Sequence, residues 1–355
     1  MKRIQMRGTP KEIGYQHGSL AKAQVHFSLN AYERLFRENN GYTWKEANKK
    51  AKFFMPYLEK HYPHLLEEIE GVADGAGVDF YDILTINARS EIALTSSKDG
   101  CTSLSYSKNK DSDLFLAQTW DWYSDQTDSL IFAEIEGKHT SIRTVTEAGI
   151  LAKLGSNSHG LGVGLNALLV QDYKEGIPIH LALREILNQH DIDAAYALVR
   201  DEKISAAGNF IMAQDRGDVK KLINNEVSPR IVSSKEYVDS GYLCHTNHFN
   251  SEAVLNGIKV SELADDNSYL RLDRIKALIN GAARSGHPIN EEVIYSWLSD
   301  HENYPKSICR HLQNDEGNVE SITVFGIIQN LTKKTGRIYV GNPCEPRNEF
   351  EIAFN

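Results

Sequence analysis

Apolar residues recur at helical spacing over most of the first hundred positions. Trp44, Ala47, Ala51, Phe54 and Leu58 fall three or four apart, and Leu65, Leu66 and Ile69 make a shorter stripe. The spacing predicts one helix from Trp44 to Lys60 and another that ends at Gly71, with Gly75 and Gly77 making the turn. Thr9-Pro-Lys-Glu12 has the form of a capping box with proline at the first helical position, so a helix through Ile13, His17 and Leu20 should follow. Gly14 and Gly18 weaken that helix unless something packs closely against them. Asp79 is placed to cap a further helix running toward Glu91.

After Gly100 the period changes. Short strand-like runs follow one another at Thr102–Ser107, Leu114–Trp120, Leu130–Glu136, Ser141–Thr146, Ile150–Leu154 and Leu161–Leu165, separated by turn-forming clusters such as KNKDSD and SNSHG. The gaps are too short for helical crossovers, which predicts antiparallel pairing. Helical patterns return at Ile179–Gln189, Ile192–Arg200, Tyr269–Asn280 and Glu291–Ser299. Two strands, Ile322–Gln329 and Arg337–Gly341, follow. The expected class is α+β, helices around antiparallel sheets in one body with a helical N-terminal part.

Composition narrows the function. The chain has 355 residues, 41% hydrophobic and 25% charged, with a net charge of -9. That charge opposes phosphate binding and argues against a nucleic-acid partner. The opening MKRIQMRGTPKEIG has no apolar core of a secretory signal, and no run approaches membrane-spanning length. EIAFN at the end is not a peroxisomal address. The expected location is therefore the cytoplasm, with no membrane partner. The four cysteines, Cys101, Cys244, Cys309 and Cys344, form no Cys-x-x-Cys pair, which fits reduced thiols. His61/His64 and His245/His248 lack a nearby Cys or Glu at zinc-ligand spacing, so neither a metal nor any other cofactor is expected, and Cys309 and Cys344 read as structural.

Cys101 is different because Gly100 precedes it. A thiol needs a base, since its reference pKa is about 8.5. A cysteine at a chain terminus carries its own base, an α-amine with a reference pKa of roughly 7.7–8.0. Making that terminus requires breaking the Gly100–Cys101 bond, and glycine leaves its carbonyl open to attack. Asp99 could assist proton transfer. Downstream, QTWDWYS sets Asp121 between two tryptophans, on the opposite strand face from Gln118 and Trp120 if the run is extended. Trp120, Trp122, Tyr123 and Phe249 could line an acyl or aromatic pocket, or simply pack in the core. Gly160, Gly162 and Gly164 alternate before Asn166, a pattern suited to close approach of backbone or ligand but not a dinucleotide fingerprint.

Taken in order, GTPKEIGYQHG, DGCT, QTWDW, TEAGILAKLGSNSHGLGVGLNAL, HTNHF and TVFGIIQNLTKKTGRIYVGNPC resemble the acyl-coenzyme A:6-aminopenicillanic-acid acyltransferase family of N-terminal-nucleophile hydrolases. Its cousins include penicillin V acylases and bile salt hydrolases. The resemblance implies an αββα sandwich of two antiparallel sheets and a precursor that cuts itself before Cys101. Residues 1–100 would then become a small, mostly helical chain, and residues 101–355 the catalytic core, the two staying associated. It also implies that Cys101 is nucleophile and base, that Asp121 positions the new amino terminus, and that the Asn247 amide helps form an oxyanion hole. Asn166 and Arg271 match supporting positions more loosely. The implied substrate is a small acyl amide or acyl thioester; the acyl group, the choice of water or amine acceptor and formation of a homo-oligomer are left open. Two alternatives stand beside this reading: a conventional Cys-His hydrolase that never cuts itself, and a non-catalytic binding protein of the same fold.

Overall fold

A computed structural model of the chain describes residues 1–93, 100–168, 170, 172–200, 203–229, 231–251, 266–312 and 321–354. Asp99 falls outside the described residues. An N-terminal strand β1 (Lys2–Arg7) leads into seven helices: α1 (Pro10–Leu20), α2 (Lys22–Asn40), α3 (Trp44–Ala51), α4 (Met55–His61), α5 (Pro63–Ala76), α6 (Phe80–Asn87) and α7 (Arg89–Ile92). Six strands follow, β2 (Gly100–Ser107), β3 (Phe115–Tyr123), β4 (Leu130–Glu136), β5 (Ser141–Glu147), β6 (Leu154–Asn157) and β7 (Leu161–Ala167). After α8 (Ile179–Asn188) and α9 (Ile192–Val199) come β8 (Gly208–Asp215), β9 (Lys220–Ser228), β10 (Ile231–Val238) and β11 (Gly241–His245). The described chain closes with α10 (Asp266–Ser285), α11 (Glu291–Leu298), β12 (Ser321–Asn330), β13 (Thr335–Val340) and β14 (Asn348–Ala353).

The strands form two sheets, in the orders β1-β4-β5-β6-β7-β8-β9-β10 and β11-β2-β3-β12-β13-β14. All named pairs are antiparallel except β1 with β4, which run parallel. The sheets face each other through β2 and β3 against β7 and β8; α8 and α9 cover one outer face, and α10 and α11 the other. This is the expected αββα sandwich. One large apolar cluster runs from Ile4 through the N-terminal helices to Trp120, Phe132, Phe210 and Ile352. Residues 1–93 therefore share a core with the rest of the chain.

The Thr9 capping box forms: the Thr9 side chain accepts from Glu12 N, and the Glu12 carboxylate accepts from Thr9 N at 2.8 Å. Asp79 caps α6 by accepting from Tyr81 N at 2.8 Å. The predicted Trp44–Lys60 helix is interrupted instead. A 3-10 turn at Lys52–Phe54 separates α3 from α4, whose first turn holds Pro56, a residue with no N–H to continue the earlier ladder. Gly71 and Gly75 do not end α5, which runs to Gly77 in the left-handed region at φ 72°. Their reason is packing. A Cβ on Gly71 would lie 2.1 Å from Lys11 O, and one on Gly14 2.0 Å from Glu68 O, so α1 and α5 touch backbone to backbone through glycines on both helices. The expected strand at Ile150–Leu154 is a turn followed by the start of β6, because Gly149 takes φ 94° and donates its N–H to His17 Nε2 at 2.9 Å.

Candidate active site

Cys101 enters the site as the second residue of β2. The register pairs Gly100 with Asp121, Cys101 with Trp120, Thr102 with Thr119 and Ser103 with Gln118. Cross-strand partners share a face. Cys101 and Ser103 thus look between the sheets, while Gly100, Asp121 and Thr102 look toward α10 and α11. Consistent with this, Ser103 Oγ donates to Asn166 Oδ1 of β7 at 2.7 Å, and Arg271 of α10 donates to Thr102 Oγ1 at 3.0 Å.

The peptide groups of Cys101 are gripped from both ends. Its N–H donates to Asn247 Oδ1 at 2.7 Å. Its carbonyl accepts from Arg271 Nη1 at 2.5 Å and from Asn166 Nδ2 at 3.5 Å. Arg271 also donates through Nη2 to Asn247 Oδ1 at 2.9 Å and through Nε to Asn267 Oδ1 at 2.6 Å, so one buried guanidinium links three parts of the site. Asn247 is oriented by these contacts and by its Nδ2, which donates to Ala167 O at 3.1 Å. Its oxygen, rather than its amide nitrogen, therefore faces Cys101. Asn166 is fully buried and accepts also from Asn209 Nδ2 at 3.2 Å. All five predicted residues, Cys101, Asp121, Asn166, Asn247 and Arg271, come together around one strand end.

Asp121 is fully buried and accepts from Thr323 Oγ1 of β12 at 2.7 Å. Gly100 leaves no spare room beside it. A Cβ there would lie 2.6 Å from Asp121 Oδ2 and 3.1 Å from Arg310 Nη1. Arg310 and Thr323 are neighbours that the sequence reading missed. Thr323 Oγ1 also accepts from Arg310 N at 2.8 Å, and Thr323 N donates to Arg310 O at 3.0 Å. Thr323 could have been marked as a polar residue in the apolar run ITVFGII; Arg310, among polar neighbours in PKSICRHLQND, carries no such signal.

The histidines of HTNHF are engaged elsewhere. His245 Nδ1 is 2.7 Å from Thr246 O and its Nε2 is 2.7 Å from Glu226 Oε1. Glu226 is held below the usual carboxylate range: burial pushes it up, but the His245 hydrogen bond and charge, with the N–H groups of Asn250 and Ser251, outweigh that. His248 Nδ1 is 2.7 Å from Ser268 Oγ, its ring stacks on Tyr269 at 3.8 Å, and burial drives its pKa down to about 4. His64 meets Glu185 at 2.8 Å. The alternating glycines serve sheet packing: a Cβ on Gly164 would lie 2.4 Å from Gln118 Oε1 and one on Gly162 2.8 Å from Leu116. Phe249 sits in a small cluster with Leu168 and Ala207. Trp120 and Trp122 stack at 5.9 Å in the main core.

Behind Trp120 lies a buried charged cluster. Glu147 pairs with Arg89 at 3.4 Å and Lys153 at 3.3 Å, and accepts from Tyr32; Lys153 Nζ lies 2.9 Å from the centre of a Trp120 ring. Burial raises the Glu147 pKa, but the two cations and the hydrogen bonds outweigh it and keep the carboxylate below its usual range. A cavity of about 650 Å³ is lined by residues that include Glu226, Tyr242, Cys244, His245 and Lys276. Cys101 itself is only 2% exposed in the continuous chain.

A family model described as acyl-coenzyme A:6-aminopenicillanic acid acyl-transferase matches residues 107–345. The chain is 30% identical over 359 residues to the 40 kDa form of acyl-coenzyme A:6-aminopenicillanic-acid acyltransferase of Emericella nidulans, covering 100% of this chain and 97% of that protein. It is 22% identical over 372 residues to a beta-alanyl-dopamine/carcinine hydrolase of Drosophila melanogaster, covering 96% and 92%. Among solved structures it is similar to a mutant conjugated bile acid hydrolase from Clostridium perfringens, at 12% identity and TM-score 0.49, covering 72% of this chain and 92% of that one. Another is penicillin V acylase from Agrobacterium tumefaciens, at 12% identity and TM-score 0.43, covering 72% and 86%. Among the described residues no helix is long and apolar enough to cross a membrane. The family model over residues 107–345 and the full-length match at 30% identity agree: the chain belongs to the acyl-coenzyme A:6-aminopenicillanic acid acyl-transferase family, enzymes of the acyltransferase and amidohydrolase type.

Proposed function

We propose that the chain is a precursor that cuts itself between Gly100 and Cys101 and then uses Cys101 as an N-terminal nucleophile on small acyl amides or acyl thioesters. The observation that carries this reading is the grip on Cys101: Asn247 Oδ1 holds its nitrogen at 2.7 Å, Arg271 holds its carbonyl, and Asp121 stands opposite Gly100. In the cut, Cys101 Sγ bonds to the Gly100 carbonyl carbon and the C–N bond breaks, leaving a thioester and a free amine. Water then releases a Gly100 carboxylate and restores the thiol. Asn247 remains within hydrogen-bond reach of the nitrogen that has become the α-amine.

In turnover, that amine takes the thiol proton as the sulfur attacks the substrate carbonyl, and returns it to the leaving group. Asn247 Nδ2 has two hydrogens. One goes to Ala167 O, leaving the other for the developing oxyanion. Removing one such donor typically slows a reaction by roughly 10²–10³. Asn166 and Arg271 are positioning residues that keep the strand end fixed. The Cys-His alternative is disfavoured because both nitrogens of His245 are occupied and His248 faces Ser268. The two relatives bear names on either side of the water-or-amine choice, so both acceptors belong in the assay.

Intact mass of freshly purified wild-type protein and of Cys101→Ala, under denaturing conditions, tests the proposal. Two fragments meeting at Gly100 and Cys101, absent in the variant, are expected, with an acyl adduct on Cys101 after brief exposure to N-acyl amides or acyl thioesters. A single chain that persists on long incubation and never acquires the adduct would overturn it.

A further inference from the structure

Far from the thiol, four side chains of metal-binding type converge. His301, Cys309 and His311 come from the segment after α11, and Cys344 from the turn after β13; their ligand atoms all lie within 4.8 Å of one another. We propose that these four residues bind one zinc ion, and that the ion fixes the segment carrying Arg310 against the cutting site.

The distances fit a tetrahedron. With Zn–S near 2.3 Å and Zn–N near 2.0–2.1 Å, the edges between ligand atoms are roughly 3.8 Å for S–S, 3.5 Å for S–N and 3.4 Å for N–N. Observed are 3.5 Å from Cys309 Sγ to Cys344 Sγ, 3.6 and 3.4 Å from these sulfurs to His311 Nε2, and 3.0 Å from His301 Nε2 to His311 Nε2. Hydrogen bonding does not account for this arrangement. His311 Nε2 faces three partners, and an imidazole nitrogen carries at most one proton. Nor is it a disulfide, whose sulfurs stand about 2.05 Å apart. Two thiolates with two imidazoles select zinc over magnesium or calcium. Binding would release both thiol protons to solvent and leave a centre of no net charge.

The surroundings suit an outer shell. Asn342 Nδ2 is 3.6 Å from Cys309 Sγ and donates to Arg310 O at 2.6 Å. Arg310 stands between two of the four residues, and its Nη1 lies 3.1 Å from where a Cβ on Gly100 would be. The ion would therefore tie an irregular segment to the β13–β14 turn and set the distance of a cation from Asp121.

The test is metal analysis of the full chain, done on wild type and on Cys101→Ala so that its outcome is independent of self-cutting. About one zinc per chain after gel filtration is expected. Cobalt exchange should produce the strong visible bands and near-ultraviolet thiolate band of tetrahedral cobalt. Cys344→Ser should lose at least tenfold in zinc content, whereas Cys244→Ser, outside the cluster, should retain it. If Cys344→Ser does not fold, the wild-type cobalt spectrum decides alone. Failure of the wild type to take up zinc or cobalt, with free thiols or with a Cys309–Cys344 disulfide found by mass, overturns the proposal.

Discussion

Replacing Gly100 by alanine keeps every reacting atom of the proposed cut in place and adds one methyl beside the carbonyl to be attacked. The new methyl would meet Asp121 Oδ2 at 2.6 Å, Asp121 Cβ at 3.0 Å and Arg310 Nη1 at 3.1 Å. Asp121 is fully buried, and its Oδ1 is held by Thr323 at 2.7 Å, so the carboxylate can yield only by leaving that hydrogen bond. A hydrogen bond to a charged group is worth roughly 1.5–3 kcal/mol, which corresponds to about 10- to 150-fold in rate if it is needed in the transition state. Gly100→Ala should therefore slow self-cutting by that factor, with the fold retained. Thr323→Val removes the same bond from the other side. Because both changes act through the position of Asp121, the double variant should be slower than either single one by far less than the product of the two effects. The assay is the cut fraction against time in newly refolded protein, read by denaturing gel and intact mass, beside circular dichroism. Wild-type cutting in a folded Gly100→Ala chain, or full multiplication of the two effects, would refute the role given to Asp121.

Four further outcomes are expected. Arg271→Met should take one of two donors from Asn247 Oδ1 and leave the Cys101 carbonyl only the long bond from Asn166, lower stability by about 3 kcal/mol in urea titrations and slow cutting more than Asn166→Ala does. Glu147→Gln should leave Arg89 and Lys153 without their carboxylate and cost roughly 3–5 kcal/mol, seen as a large fall in thermal midpoint. Gly71→Ala should force α1 and α5 apart and cost about 3 kcal/mol, whereas Gly281→Ala, with open space around it, should be neutral or slightly stabilising. His17 accepts from Gly149 N–H and must be neutral to do so; burial holds its pKa at about 4 against 6.5 in the unfolded chain. The unfolded state thus binds the proton first. The associated stability, roughly 3 kcal/mol, is complete above pH 6.5 and drains away as the pH falls toward 4. A His17→Gln chain should show that much less slope over the same window in urea titrations.

Local rules carried the outline and failed where a distant partner decided the outcome. The Thr9 box, the Asp79 cap and the β4 strand follow from residues within one turn of each other, and the structure repeats them. Gly71 and Gly75 look like helix ends until the glycines of α1 are seen against them. Strand β1 is hard to read from sequence, although Ile4 and Met6 alternate with polar neighbours, because six residues carry little signal until β4 pairs with them. Strands β8 to β11 and β14 are likewise not legible in the sequence; β8, β9 and β11 supply Asn209, Glu226 and His245 to the buried network around the site. The order of motifs pointed to five residues that the fold gathers at one strand end. Their contacts were not: nothing local tells that Asn247 turns its oxygen to Cys101, or that Thr323 reaches Asp121 from 202 positions away. Cys309 and Cys344 escaped notice as a pair because their spacing to His301 and His311 follows no familiar metal-binding pattern.

The grip on Cys101 is drawn from distant stretches of the chain. Gly100 and Cys101 come from β2, Asn166 from β7, Asn247 from the turn after β11, Arg271 from α10 and Thr323 from β12. A growing chain on the ribosome that has reached β7 holds the thiol and the bond to be cut but none of the last three. Self-cutting would then wait until synthesis is nearly finished and both sheets have closed. Premature release of the small N-terminal piece, while it is still needed to complete the core, would be avoided by geometry alone, and the cut itself would certify that the molecule had been made whole.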